Sequence, residues 1–291
     1  MDFLSNLISG LSLGSIYALI ALGYTMVYGI AKMLNFAHGD VIMVGAYAVI
    51  VCIGSMGLPV WLTAILSILI CVALGVLIER IAYKPLRQSP PLTVLITAIG
   101  VSYLLQSLAQ LIFGSHMRSF PAVISIPAIQ LGELTVKGEA LATLLVSALI
   151  MVALTLFINK TRLGKAMRAV SEDQGAAELM GISVNRTISL TFAIGSALAA
   201  VAGIFYGSTY GFIGPYTGSM PGIKAFVAAV FGGIGSIPGA MVGGLALGII
   251  ENMSKAYIST ELSDAIVFGV LIIVLLLKPT GLLGKVTKEK V

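Results

Sequence analysis

Two ionisable residues interrupt an apolar part of the sequence, in the segment Asn35-Phe36-Ala37-His38-Gly39-Asp40. A charged side chain within a membrane costs about 2.5–3.5 kcal/mol on insertion scales, so His38 and Asp40 would indicate function if they were buried. If Gly39 and Asp40 begin a helix, the break before it could direct backbone amides at a substrate carboxylate. The alternative is a surface turn over residues 32–40, with Asp40 as an ordinary acidic residue at a helix N-terminus. The sequence leaves both possibilities open.

Other candidates for a substrate pathway are polar or glycine-rich. Thr93 and Thr97 are four residues apart and share a helix face, although threonines in membrane helices often bond their own i−4 carbonyl. A glycine pattern around residues 38–46 resembles one around residues 238–244, which indicates an internal repeat or simply close helix packing. The complete set of predicted pathway residues is Asn35, His38, Gly39, Asp40, Thr93, Thr97, Gly233, Gly235, Pro238 and Gly239.

The sequence predicts no catalytic residues and no metal site. Neither histidine has a serine, an acid or a second histidine at the spacing that catalysis or metal binding requires. Cys52 and Cys71 both lie in apolar runs, which disfavours a disulfide framework or a thiolate site.

The longest polar segment, residues 161–186, is predicted to contain a short helix outside the membrane. Ser171 is followed by Glu172 and Asp173, which suits a capped helix start, and Gly181 would end the helix. A helix this short is unstable alone in water and must dock its apolar face on something else. That face comprises Ala176, Ala177, Leu179 and Met180, and it would lie either on lipid headgroups or on a partner protein.

A phosphate-binding loop is absent from the sequence. Gly164-Lys165-Ala166 and Gly284-Lys285-Val286 lack both the upstream glycine and the hydroxyl residue of a G-x-x-x-x-G-K-[ST] motif. We therefore expect no cofactor on this chain.

The elements that position these residues are membrane helices. Of 291 residues, 58% are hydrophobic and 10% are charged, with a mean hydropathy of +1.05, which predicts an all-α polytopic membrane protein forming one domain over residues 1–291. The second, seventh and eighth apolar segments are short, so some helices should be broken or re-entrant, and eight or nine should span. The segments are Leu7–Ile30, Gly39–Gly54, Pro59–Ala82, Leu92–Phe113, Ala140–Ile158, Thr187–Tyr206, Ile223–Ile234, Gly239–Met253 and Asp264–Leu277.

The basic residues predict the orientation of these helices. The net charge of +5 comes from lysines and arginines in short loops between apolar segments, so it indicates membrane lipid rather than nucleic acid as the surrounding partner. Three basic regions should be cytoplasmic: residues 80–87, residues 160–186 and the C-terminal lysines 278, 285, 288 and 290. Nine spans would place the N-terminus outside, together with residues 115–139 and 206–222. If the second segment does not fully cross the membrane, the N-terminus would instead lie inside.

Four motifs in order resemble the branched-chain amino acid permeases of ATP-binding-cassette importers. They are Asn35–Asp40 with Gly45-Ala46-Tyr47, the run GKAMRAVSED with AAELMGI, FGGIGSIPGAMVGG over residues 231–244, and KPTGLLG over residues 278–284. The resemblance covers essentially the whole chain. It implies transport of branched-chain amino acids across the bacterial inner membrane, with a cytoplasmic C-terminus. Related permeases carry urea, short amides or other amino acids, so those substrates remain alternatives.

The resemblance also implies partners: a second homologous permease, two cytoplasmic ATP-binding subunits that hold ATP and magnesium, and a periplasmic substrate-binding protein. Residues 161–186 would then be the segment through which the ATPases act. The coupling residues it implies are Glu172, Asp173, Ala176, Ala177, Glu178, Leu179, Met180 and Gly181.

Two other classes of transporter are less favoured by the sequence. A proton- or sodium-coupled transporter needs acids buried at mid-membrane, and Glu79, Glu251 and Asp264 are expected near the ends of spans. A passive channel would work without ATP.

Overall fold

The computed structural model describes residues 2–131 and 134–284, and this part of the chain is predominantly helical. Its α-helices are α1 (Asp2–Ala31), α2 (His38–Gly54), α3 (Val60–Ile78), α4 (Pro91–Phe113), α5 (Gly138–Lys160), α6 (Arg162–Glu172), α7 (Gln174–Leu179), α8 (Val184–Tyr210), α9 (Ser219–Gly232), α10 (Ile237–Tyr257) and α11 (Ser263–Leu277). A π-helical turn, Glu79–Tyr83, and a 3-10 turn, Lys84–Leu86, continue α3. The four short strands are β1 (Arg118–Ser119), β2 (Ile129–Leu131), β3 (Leu134–Val136) and β4 (Phe212–Ile213).

The nine apolar segments correspond to nine of these helices. Six helices are long and apolar enough to cross a membrane: α1, α3 with its continuation, α4, α5, α8 and α10. The short second and seventh segments are confirmed as α2 and α9. The eighth segment was wrongly predicted to be short, because its helix, α10, begins at Ile237 and has 21 residues. The ninth segment forms the short helix α11, which has only 15 residues.

Helices α1 and α8 form the centre of the bundle, and glycines allow their neighbours to approach closely. A Cβ atom added to Gly248 of α10 would lie 2.1 Å from the backbone nitrogen of Gly14 in α1. On the other side, a Cβ atom on Gly75 of α3 would lie 1.9 Å from Oγ of Ser196 in α8. By contrast, α3, α4, α5 and α11 expose large apolar side chains at the periphery, which suits contact with lipid.

The helices form an inverted repeat, in which α1–α4 correspond to α8–α11. The contact between α1 and α10 corresponds to the contact between α8 and α3. In the same way, the contact between α2 and α8 corresponds to the contact between α9 and α1. The two sets run in opposite directions through the bundle, as in many transporters. The internal repeat is thus present, but its expected alignment was wrong. Pro238 lies in the first turn of α10, and Pro59 lies directly before α3. Helix α10 is therefore the counterpart of α3 and not of α2.

One end of the bundle, which we call the basic end, carries most of the predicted cytoplasmic basic residues. It includes residues 80–87, residues 160–186 and Lys278, where the third basic region begins. Arg87 donates a hydrogen bond to Asn185 at the start of α8, which follows the polar segment, and Leu283 donates from its backbone to Gly232. Lys285, Lys288 and Lys290 lie outside the described residues.

The opposite end carries the four short strands. Strand β1 pairs with β4, and β2 with β3, both antiparallel, so residues 115–131 and 206–213 lie at the same end. The N-terminus of α1 is also there, because Asn252 near the end of α10 donates to the carbonyl of Asn6. Helices α2 and α9 each complete a crossing of the bundle together with the loop before them. Counted in this way, the described chain traverses the bundle nine times.

Candidate functional site

The chain folds back into the bundle between α1 and α2. Helix α1 ends at Ala31, and Lys32 takes a left-handed backbone conformation with φ 56°. The His38 imidazole then lies edge-on to Tyr24 with ring centroids 4.9 Å apart, and a Cβ atom on Gly23 would lie 2.2 Å from its Nε2. Gly23 is about 12 Å from the end of α1 at 1.5 Å per residue. Helix α2 therefore begins inside the bundle.

Helix α9 begins at the same place from the other direction. After β4, residues 214–218 lead inward, and a Cβ atom on Gly39 would lie 2.5 Å from the carbonyl oxygen of Gly218. At 1.5 Å per residue, α2 is about 25 Å long and α9 about 21 Å, both shorter than a hydrocarbon core of about 30 Å. The N-termini of these two short helices thus meet within the bundle, and each carries the partial positive charge of a helix N-terminus.

The carboxylate of Asp40 lies at this junction and is 1% exposed. Oδ2 accepts a hydrogen bond from Oγ of Ser102 at 2.5 Å, and Oδ1 accepts one from Nε2 of Gln106 at 3.0 Å. The same Nε2 is 3.1 Å from Oγ of Ser219, the first residue of α9. Asp40 therefore links α2, α4 and α9, and the surface-turn alternative for His38 and Asp40 is wrong.

The remaining polar pathway candidates do not join this junction. Asn35 lies at the basic end, where its Oδ1 accepts from the Tyr83 hydroxyl at 2.8 Å. Thr97 donates to the backbone carbonyl of Thr93 at 2.9 Å, which is the local alternative considered for this pair. The residues of α4 that reach Asp40 are instead Ser102 and Gln106.

The glycine-rich candidates pack together at the basic end. A Cβ atom on Gly233 would lie 2.4 Å from the backbone nitrogen of Gly284, and one on Gly239 would lie 2.4 Å from the carbonyl oxygen of Gly232. Gly235, which has φ +90°, approaches Gly29 of α1. Pro238 belongs to the first turn of α10. These residues close the α9–α10 loop against the C-terminal segment rather than lining the junction at Asp40.

The polar segment forms two helices, so its predicted start at Ser171 was wrong. Thr161 caps α6 by accepting from the backbone nitrogen of Gly164, and Ser171 lies within the last turn, where its hydroxyl donates to the carbonyl of Arg168. The cap of α7 is Asp173, whose Oδ1 accepts from the backbone nitrogen of Ala176 at 2.9 Å. Gly181 ends this unit with φ +79°, as expected.

The apolar face of α7 is partly buried against the rest of the chain and partly exposed. Ala177 is 3% exposed and packs within the protein, so the expectation that it faces a partner is wrong. Leu179 and Met180 are 90% and 82% exposed, and they protrude from the basic end. The other predicted coupling residues before Gly181, namely Glu172, Asp173, Ala176 and Glu178, are also exposed.

A second cluster of buried charges, around Lys224 and Glu251, was not predicted. Glu251 is fully buried, contacts Lys224 and Lys255, and lies six residues before the end of α10. Glu79 is also fully buried, and it accepts hydrogen bonds from Arg87 and Ser189. Lys224 was visible in the sequence as a single lysine in an apolar segment, by the same criterion that identified Asp40.

Comparison with known proteins assigns the chain to a family. Residues 6–275 match the family described as "Branched-chain amino acid transport system / permease component". The chain is 49% identical to the high-affinity branched-chain amino acid transport system permease protein LivH of Salmonella typhimurium, 48% to LivH of Escherichia coli and 46% to BraD of Pseudomonas aeruginosa. Each alignment covers 99% of this chain and 98% of the relative. This chain therefore belongs to the family of permease components of branched-chain amino acid transport systems.

Proposed function

We propose that this chain is the membrane-spanning permease subunit of an ATP-driven, binding-protein-dependent importer that moves branched-chain amino acids across the bacterial inner membrane. The observation that carries the proposal is its 46–49% identity, over nearly the full length, to relatives with that substrate in their names. The basic end would face the cytoplasm, in keeping with the distribution of lysine and arginine.

The energy source would lie on other subunits. The sequence has no phosphate-binding loop, so ATP and magnesium would be held by two cytoplasmic ATP-binding subunits. A second homologous permease would complete the membrane unit, and a periplasmic binding protein would deliver the amino acid to the end that carries the strands.

Helix α7 supports this division of labour. Two large apolar side chains, Leu179 and Met180, protrude from a six-residue helix at the basic end. Such a helix gains stability by docking into an apolar groove. Helix α6 fixes α7 to the bundle through the buried side chains of Met167 and Val170, so motion of an ATPase would be transmitted to the spanning helices.

The junction at Asp40 suits passage of a zwitterion. The N-termini of α2 and α9 offer partial positive charge to the carboxylate of an amino acid, and Asp40 offers negative charge to its ammonium group. Apolar surroundings such as Phe226, packed edge-on against Tyr24 with ring centroids 5.8 Å apart, suit an aliphatic side chain.

Uptake by reconstituted vesicles tests the proposal. With the second permease, both ATPases and the binding protein present, labelled L-leucine should accumulate, and omission of ATP or of any one component should abolish accumulation. Equilibration without ATP would instead establish a passive channel, and accumulation driven by a proton or sodium gradient a secondary transporter. Competition by unlabelled isoleucine and valine, but not by urea or acetamide, would assign the substrate class.

A further inference from the structure

Four charged side chains meet in the half of the bundle nearer the strands. Nζ of Lys224, on α9, lies 2.8 Å from Oε1 of Glu251 on α10 and 2.6 Å from Oδ1 of Asp264 on α11. Lys255 lies 2.5 Å from the same Oε1, one helical turn along α10. Oε2 of Glu251 accepts a hydrogen bond from the Tyr17 hydroxyl of α1 at 2.8 Å. The cluster has two positive and two negative groups and joins four helices.

These charges are expensive to bury, and helix packing does not require them. The side chains of Lys224 and Glu251 are 8% and 1% exposed. Buried ion pairs are often no more stabilising than apolar side chains of similar volume, because desolvation offsets the attraction. Ionisable groups retained inside a membrane protein therefore indicate a substrate or ion pathway.

A cavity opens directly beside the cluster. It has a volume of about 210 Å³ and is lined by all four charged residues. The rest of the lining includes the rings of Tyr206 and Tyr210, the apolar side chains of Met220 and Pro221, and the polar residues Thr260 and Ser263. The carboxylate of Asp264 is 41% exposed, so the charges are reachable from outside the bundle.

We propose that this cavity is a receiving site for the zwitterionic head of an aliphatic amino acid, on its way to the junction at Asp40. The substrate carboxylate binds the ammonium group of Lys224, and the substrate ammonium group binds the carboxylate of Asp264. The aliphatic side chain lies against Tyr206, Tyr210 and Met220. Because the zwitterion has no net charge, it exchanges partners with the Lys224–Asp264 pair without leaving an unpaired charge.

The volume and chemistry of the cavity limit the substrate class. At about 210 Å³ it is smaller than the roughly 300–1,000 Å³ of sites for drug-sized ligands, and it suits a single amino acid. A neutral amide such as urea would leave the charges of Lys224 and Asp264 without a charged partner. This inference rests on the proposed transport of amino acids and adds the place where the amino acid first binds.

Cysteine protection in the assembled importer tests the site. Thr260→Cys places a thiol in the cavity lining, whereas native Cys52 and Cys71 are buried and should not react. Millimolar L-leucine should slow labelling of this thiol by a membrane-impermeant maleimide severalfold. Isoamylamine, which lacks the carboxylate, and 4-methylpentanoate, which lacks the ammonium group, should not slow it. Equal labelling rates with and without leucine would overturn the inference.

Variants separate substrate binding from a structural role. Asp264→Asn keeps the Lys224–Glu251 pair and should reduce leucine protection severalfold while the complex stays assembled. Lys224→Met should abolish protection, whereas Lys137→Met, which removes an exposed lysine near the same end, should leave it unchanged. A lower melting temperature of the Lys224 variant with full leucine protection would identify a purely structural cluster and overturn the site. ATP-dependent uptake by the unmodified importer would stand in that case, so failure of the site and failure of the proposed function are distinguishable.

Discussion

Asp40 is an ionisable residue that is almost completely buried, a combination that is rare within membrane proteins. Its carboxylate receives hydrogen bonds from Ser102 and Gln106, and it lies where the N-termini of α2 and α9 converge. These partners offset the cost of burial, and hydrogen bonds to a charged group contribute about 1.5–3 kcal/mol each. The carboxylate is thereby held in a fixed position beside the close contact between α2 and the start of α9.

Replacement of Asp40 by asparagine should impair transport. The amide keeps the size of the side chain but loses the charge, so it binds a substrate ammonium group less strongly and places a donor near the Gln106 amide. We expect the uptake rate to fall about tenfold or more, the equivalent of about 1.4 kcal/mol. The measurement is the initial rate of ATP-dependent L-leucine uptake in vesicles.

The matched control is Glu261→Gln, which removes an exposed carboxylate and should leave uptake unchanged. Unaltered uptake kinetics in the Asp40 variant would show that the carboxylate has only a structural role, in its contacts with Ser102 and Gln106 of α4.

The sequence identified Asp40 but not its surroundings. An acid inside an apolar run is visible in one dimension, whereas Ser102, Gln106 and Ser219 come from α4 and α9, between 62 and 179 positions away. Ordinary polar residues of this kind carry no local signal. Thr93 and Thr97, in contrast, do give a local signal, because they share a helix face as predicted. They nevertheless face away from the junction, and the Thr97 hydroxyl donates to a carbonyl of its own helix.

Among the elements, α6 and α7 show how a short polar segment is held in place. Helix α6 buries Met167 and Val170, and Asp173 ends α6 and caps α7 in one residue. Helix α7 contributes Ala177 to the core, while Leu179 and Met180 remain exposed. The predicted helix start was wrong because Ser171, Glu172 and Asp173 are all suitable N-terminal residues, and only the packing of α6 selects Asp173.

The double variant Leu179→Asp with Met180→Asp should uncouple transport from ATP hydrolysis. Burial of one large apolar side chain contributes about 1.5–3 kcal/mol, so loss of these two should weaken binding of the ATPases by about a hundredfold or more. The measurements are co-purification of the ATPases and stimulation of ATP hydrolysis by the substrate-loaded binding protein.

The exchange Leu179→Met with Met180→Leu serves as the control, because it conserves apolar volume and should retain coupling. Normal co-purification and normal stimulated hydrolysis in the aspartate variant would exclude α7 as the coupling element.

For the whole molecule, the inverted repeat explains why both short helices, α2 and α9, are required. Helix α2 reaches the end that carries the strands and α9 reaches the basic end, so their N-termini can meet only inside the bundle. The same relation places the Asp40 cluster between α2 and α4 and the Lys224 cluster between α9 and α11. The apolar segments located the nine apolar helices of the described chain, but glycine patterns could not align the repeat, since glycines mark close packing wherever it occurs.

This arrangement predicts opposite sidedness for the two ends. The described chain traverses the bundle nine times, and the positive-inside rule assigns the basic end to the cytoplasm. Glu178→Cys on α7 should therefore react with an impermeant maleimide only in inside-out vesicles, and Thr260→Cys, between α10 and α11, only in right-side-out vesicles. The unmodified chain, whose two cysteines are buried, should react in neither. Labelling of Glu178→Cys from the outside would reverse the orientation, and α7 could then no longer contact a cytoplasmic ATPase.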